Sequence, residues 1–219
     1  MPIDHEIDSR NKNIQIYING SFYHRDEAKI SVYDSGFLMG DGIWEGLRLI
    51  NNKWIFIDEH IDRLFEGCKA IDLDIKMTKE DIVNALDETK AINNMSNEVH
   101  ARLMITRGNK SKPFQQPHLS ESGINIVIIM EHSKPSIDVK NITMATVPQV
   151  RGMPMSQDPK LNSHSKLNCI LACIQANKLG ADEALMLDPL GFVNTTNSCN
   201  FFIVKNNQVW TSTGDYCMN

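Results

Sequence analysis

With 219 residues and 42% apolar content the chain can bury a sizeable core, as one large domain or two small ones. A formal net charge of -5 offers no basic stripe for a phosphate backbone, so nucleic acid is not an expected partner, although small anions can still bind locally. The five cysteines, Cys68, Cys169, Cys173, Cys199 and Cys217, are odd in number and form no CxxC pair, which points to reduced thiols in a cytoplasmic protein rather than to disulfides or a metal centre.

The N-terminal MPIDHEIDSRNKN lacks the apolar stretch of a secretory signal, and no window approaches membrane-spanning length, so no membrane is expected. From Ile14 to Ile18 apolar residues alternate, Asn19-Gly20 signals a hairpin turn, and Phe22-Tyr23 begin a return strand. Ile43 to Ile50, a turn at Asn51-Asn52-Lys53 and Trp54 to Ile57 predict a second hairpin. Asp58 is then expected to cap a helix whose apolar face is Ile61, Leu64, Phe65, Cys68 and Ile71. Thr78-Lys79-Glu80-Asp81 resembles a capping box for a second helix burying Ile82, Val83 and Leu86. Strands over Ala101 to Thr106 and Ile124 to Met130 complete a first α+β unit, and the polar loop between them carries Lys112, which can help trap a carboxylate.

The pattern predicts an N-terminal domain over 1–130, a linker over 131–139 and a C-terminal domain over 140–219. In the latter, a strand at Ile142 to Val147 precedes a helix from Lys166 to Leu179, with further strands at Glu183 to Leu187, Phe201 to Val204 and Val209 to Thr211. The chain then stops without a closing helix, and a truncated chain is expected.

Three stretches carry a signature in order: ISVYDSGFLMGDGIWEGLR (Ile30 to Arg48), DEHIDRLF (Asp58 to Phe65) and GADEALMLD (Gly180 to Asp188). Together they resemble the class IV aminotransferases, fold type IV enzymes that use pyridoxal 5'-phosphate (PLP) and whose archetypes are the branched-chain and D-amino-acid aminotransferases. The resemblance implies a two-domain α+β protein, its second domain incomplete, that works as a homodimer on an amino acid and a 2-oxo acid. It gives Arg63 the cofactor phosphate, which a guanidinium fork suits by donating paired hydrogen bonds in one plane. On charge pattern alone Arg63 reads as a helix-surface residue paired with Asp62 or Glu59. It also places Trp44 as an aromatic pocket residue and Arg102 as an arginine on the substrate side. Their plainer readings are ordinary core and a solvated strand face.

At two positions the family pattern is broken. Its Schiff-base lysine falls on Asn162, whose amide cannot bond an aldehyde in that way; Lys160 and Lys166 lie nearby. Lys160 would share a face with Asn162 in an extended strand. Lys166 replaces a tyrosine that contacts the cofactor in branched-chain members, and it is the expected catalytic lysine, its plainer reading being a first-turn surface residue. The family's glutamate opposite the pyridine nitrogen falls on Thr195, whose hydroxyl cannot hold that nitrogen protonated. Asn162, Thr195, Thr196 and Ser198 are carried over as cofactor contacts. Three readings stay open: a PLP-dependent aminotransferase acting on branched-chain or other apolar amino acids, an aminodeoxychorismate-lyase-like enzyme, and a non-catalytic protein of the same fold.

Overall fold

A computed structural model describes residues 8–134 and 141–218, and backbone contacts divide these into two units, one up to residue 134 and the other from residue 141. The expected linker residues 135–139 and the N-terminal residues 1–7 lie outside the described residues.

The first unit is a six-stranded sheet with two helices on one face. The strands are β1 (Gln15–Ile18), β2 (Ser21–His24), β3 (Gly42–Ile50), β4 (Lys53–Trp54), β5 (Val99–Thr106) and β6 (Asn125–His132), in the order β2-β1-β6-β5-β3-β4. Every neighbouring pair is antiparallel. Strand alternation sends Ile43, Glu45, Leu47 and Leu49 of β3 to one face, where all are buried, and Trp44, Gly46 and Arg48 to the other, where they are partly exposed. The short helix α1 (Ser35–Met39) precedes β3, and the buried Asp34 caps it by accepting from Phe37 N at 3.1 Å.

Helix α2 (Ile57–Ala70) covers the buried face with Ile61, Leu64 and Cys68, spaced at one or two helical turns, and α3 (Lys79–Ile92) adds Ile82, Ala85 and Leu86. Each fully buried Leu or Ile contributes about 2 kcal/mol. The capping box at Thr78 and Asp81 forms as expected. The cap expected at Asp58 does not: β4 ends at Trp54 instead of reaching Ile57, Phe56 turns the chain at φ 52, and α2 starts at Ile57. Asp58 and Glu59 instead occupy the first turn, where their negative charge complements the positive end of the helix dipole. Strand β6 also runs to His132, two residues past the expected boundary at Met130.

In the second unit β7 (Met144–Thr146) pairs in parallel with β8 (Glu183–Leu187), and the connection contains α4 (Pro154–Gln157) and α5 (Leu167–Lys178). Strand β9 (Val193–Thr196), absent from the expectations, pairs antiparallel with β8, and β10 (Phe202–Lys205) with β11 (Gln208–Thr211) forms a separate hairpin. The core is small: Val147, Ala172, Ala176, Ala184 and Met186.

Candidate active site

Glu45 projects from β3 with no exposed side-chain surface, and α2 brings two basic groups to it. Arg63 donates from Nε to Oε1 at 2.8 Å and from Nη2 to Oε2 at 2.5 Å, and His60 Nδ1 lies 2.8 Å from Oε2. Burial alone would push the Glu45 carboxyl up, but the hydrogen bonds from Arg63 and His60 outweigh it and hold the group below the ordinary carboxylate range. The same contact raises Arg63 further above its already high value. Arg63 therefore pairs with Glu45, not with Asp62 or Glu59; Asp62 is taken by Lys79 at 2.5 Å. The Arg63 side chain remains 36% exposed, and Nη1 has no hydrogen bond among the described residues. A fork braced on one edge by a buried carboxylate is held in orientation while its other edge stays available to an anion.

On the opposite face of β3, Trp44 and Arg102 come together: the guanidinium carbon lies 4.1 Å from the indole centroid. Arg102 is exposed and makes no ion pair among the described residues. Partial burial nevertheless lowers its pKa, because less water solvates the charge. Trp44 is thus on the half-exposed face rather than in the core, and Arg102 is stacked rather than merely solvated. Lys112 lies exposed on the loop after β5.

In the second unit Lys166 is the N-cap residue of α5, half-buried, and its side chain does not cap the helix. It lines a cleft of about 350 Å³ with Arg151, Ser163, Ser165, Asn168 and Cys169 among others. Arg151 donates from Nη1 to Cys169 Sγ at 3.0 Å, and its buried Nε has no partner among the described residues. Lys160 does not share a strand face with Asn162. Residues 158–161 form a turn in which Lys160 N donates to Asp158 Oδ1 at 2.9 Å, leaving Lys160 exposed while Asn162 is buried.

The hydroxyls of β9 serve its turn. Thr195 Oγ1 donates to Cys199 O at 2.6 Å; Thr196 Oγ1 donates to the same carbonyl at 2.9 Å and accepts from Cys199 N at 2.8 Å. Ser198 Oγ donates to the Glu183 carboxylate at 3.3 Å. Next to them Asn194, 3% exposed, has a buried Oδ1 with no hydrogen-bond partner among the described residues. Sequence reasoning did not single out Glu45, although an acid on the apolar phase of β3 demands a buried cation. For Arg151 no sequence signal exists, since its importance comes from the fold bringing it to Cys169.

These elements define a fold type IV protein, and comparison with known sequences agrees. Residues 42–217 match the amino-transferase class IV family, and the chain belongs to that family. It is 35% identical over 209 residues to branched-chain-amino-acid aminotransferase-like protein 2 of Arabidopsis thaliana, covering 95% of this chain but only 37% of that protein. It is 28% identical over 207 residues to a D-alanine aminotransferase of Staphylococcus haemolyticus, covering 94% of this chain and 71% of the relative. Among solved structures, the branched-chain aminotransferase of Thermoproteus uzoniensis with norvaline superposes with a TM-score of 0.83 at 24% identity. That match covers 94% of this chain and 70% of the other. Class IV aminotransferases use PLP.

Taken singly, some residues of each unit suit parts of PLP. The braced, half-exposed Arg63 suits a phosphate, and Lys166 supplies a primary amine at a cleft. Thr195, 1% exposed with its proton given to Cys199 O, has only lone pairs left for a ring nitrogen and cannot supply the negative charge that would hold it protonated. No helix among the described residues is long and apolar enough to cross a membrane.

Proposed function

We propose that this chain is a PLP-dependent aminotransferase moving an amino group between a branched-chain-like or other apolar amino acid and a 2-oxo acid. The observation that carries the reading is the Arg63 fork, fixed on the buried Glu45 with Nη1 left over for an anion. When bound, PLP supplies an aldehyde for the amino group and a ring that withdraws electrons from the substrate Cα. Arg63 holds the phosphate, Lys166 is the amine assigned to the aldehyde, and Asn162, Thr195, Thr196 and Ser198 are assigned to the cofactor's surroundings. Arg102 takes the substrate carboxylate, and Trp44 receives its apolar side chain; Lys112 adds a second cation on the loop. A cytoplasmic homodimer, each chain with an N-terminal domain, a linker and a C-terminal domain, completes the proposal.

A second reading, a non-catalytic binding protein of the same fold, is favoured by the buried Asn162 and by the committed hydroxyl of Thr195. A lyase similar to aminodeoxychorismate lyase is also compatible with a weak ring-nitrogen partner. Borohydride trapping with excess PLP, followed by peptide mass mapping, tests the proposal. Label on Lys166 supports it, label on Lys160 keeps the enzyme and changes the residue, and no labelled lysine leaves the binding protein.

A further inference from the structure

Three rows of residues cross the half-exposed face of the first unit's sheet. Strand register sets Trp44 opposite Met104 and Met104 opposite Val127, then Gly46 opposite Arg102 and Arg102 opposite Ile129, then Arg48 opposite His100 and His100 opposite Glu131. One end of the surface is apolar, the other is ionisable, and Arg102 lies between. A Cβ built on Gly46 would stand 3.2 Å from His100 Nε2 and 3.4 Å from Trp44 Cζ3. The imidazole and the indole therefore close over Gly46, which makes room for both by having no Cβ, and the imidazole is held against the row that contains Arg102.

His100 is the titratable group of this surface. Arg48 faces it from β3, Arg102 lies beside it on β5, and Glu131 is directly opposite on β6. Arg48 Nη1 is held by Ser133 O at 2.7 Å. Burial lowers the imidazole pKa, and the charges of Arg48 and Arg102 lower it further, so the free protein keeps His100 neutral near pH 7. Its Nε2 faces Gly46, the position that register sets opposite Arg102.

Resting on the reading that Arg102 holds a carboxylate, we propose that His100 is a specificity-determining residue of this surface, hydrogen-bonding through Nε2 to the bound anion and taking up a proton as the anion binds. A carboxylate on Arg102 cancels one of the two positive fields and adds a negative one, so the imidazolium becomes more favourable than in the free protein. Between the free and bound pKa values, binding consumes a proton and tightens as pH falls. Above the bound value, and below the free one, affinity is flat. A neutral ligand of the same shape brings no charge and gains nothing on acidification. The surface thereby distinguishes a 2-oxo acid from an uncharged ketone by more than the contact with Arg102.

The test is calorimetry with 4-methyl-2-oxopentanoate and its neutral counterpart 4-methyl-2-pentanone, at about pH 6 and about pH 8 and in buffers of different ionisation enthalpy. The anion is expected to bind up to about tenfold more tightly at the lower pH, with proton uptake, which corresponds to a rise of about one unit in the imidazole pKa. The ketone is expected to show no pH dependence. In His100→Gln the anion keeps the weaker, high-pH affinity at both pH values; in Arg102→Met it is lost at both. The His100 ring resonances of the unmodified protein, titrated with and without the anion, report the same rise without any substitution. A pH dependence that survives in His100→Gln, or ring resonances that titrate identically with the anion, overturns the role of His100 and leaves Arg102 standing. Undiminished anion binding by Arg102→Met, or none by the unmodified protein, overturns the carboxylate reading beneath it.

Discussion

An ionised carboxylate withdrawn from water loses several kcal/mol of solvation unless cations and donors replace it. For Glu45 the replacement is Arg63 with His60, and its charge is stable only while both remain in place. Its carboxyl is held below the unfolded value, so this contribution is complete above the ordinary carboxylate range and is lost as pH falls through the lowered value. Arg63→Met is therefore expected to cost about 3 kcal/mol at neutral pH and to move the acid-unfolding midpoint upward, measured by urea titration and by circular dichroism across pH. An unchanged acid midpoint would show that the pair is not what keeps Glu45 ionised. At Cys68 burial outweighs the charge of Arg107, and the thiol is pushed up to about 12. It should resist iodoacetamide in the native protein while the exposed Cys199 reacts, as read by mass mapping.

At the level of elements, periodicity is a good guide where one face is apolar and the caps are local. Helix α3 shows this, since Thr78 and Asp81 satisfy each other's backbone groups. Thr78→Ala should cost about 1 kcal/mol in thermal or urea unfolding, whereas Asp58→Ala in α2, which removes only a first-turn charge, should cost about 0.5 kcal/mol. Equal losses would mean that Asp58 caps after all. The start of α2 was not legible because a left-handed Phe56 has no sequence signature. Strand β9 was missed because Asn194, Thr195 and Thr196 are turn-forming residue types, and only their burial beside β8 makes them a strand. The candidate site divides in the same way. Arg63 and Trp44 stand in motifs that can be read directly, but the partner of Arg63 and the stacking of Trp44 depend on strand register between residues far apart in sequence.

For the whole molecule, the two units differ in how much apolar surface they bury. The first packs Leu, Ile and Met side chains from α2, α3 and three strands, whereas the second relies largely on three alanines, one valine and one methionine. Since each buried methylene is worth about 0.8 kcal/mol, hydrogen exchange should be slowest in β3 and β5 and several orders of magnitude faster in α5 and β8. Uniform protection across both units would contradict this. Strand order carries a consequence for the order of events during synthesis. Strand β1 joins the sheet through β6, with Tyr17 against Ile128 and Ile18 against Val127. The hairpin of β1 and β2 is synthesised well before β6, yet an isolated hairpin is marginal in water and its docking edge is made more than a hundred residues later. The hairpin is thus among the last parts of its sheet to settle, and until β6 emerges it remains exposed to proteases and to other unpaired strands.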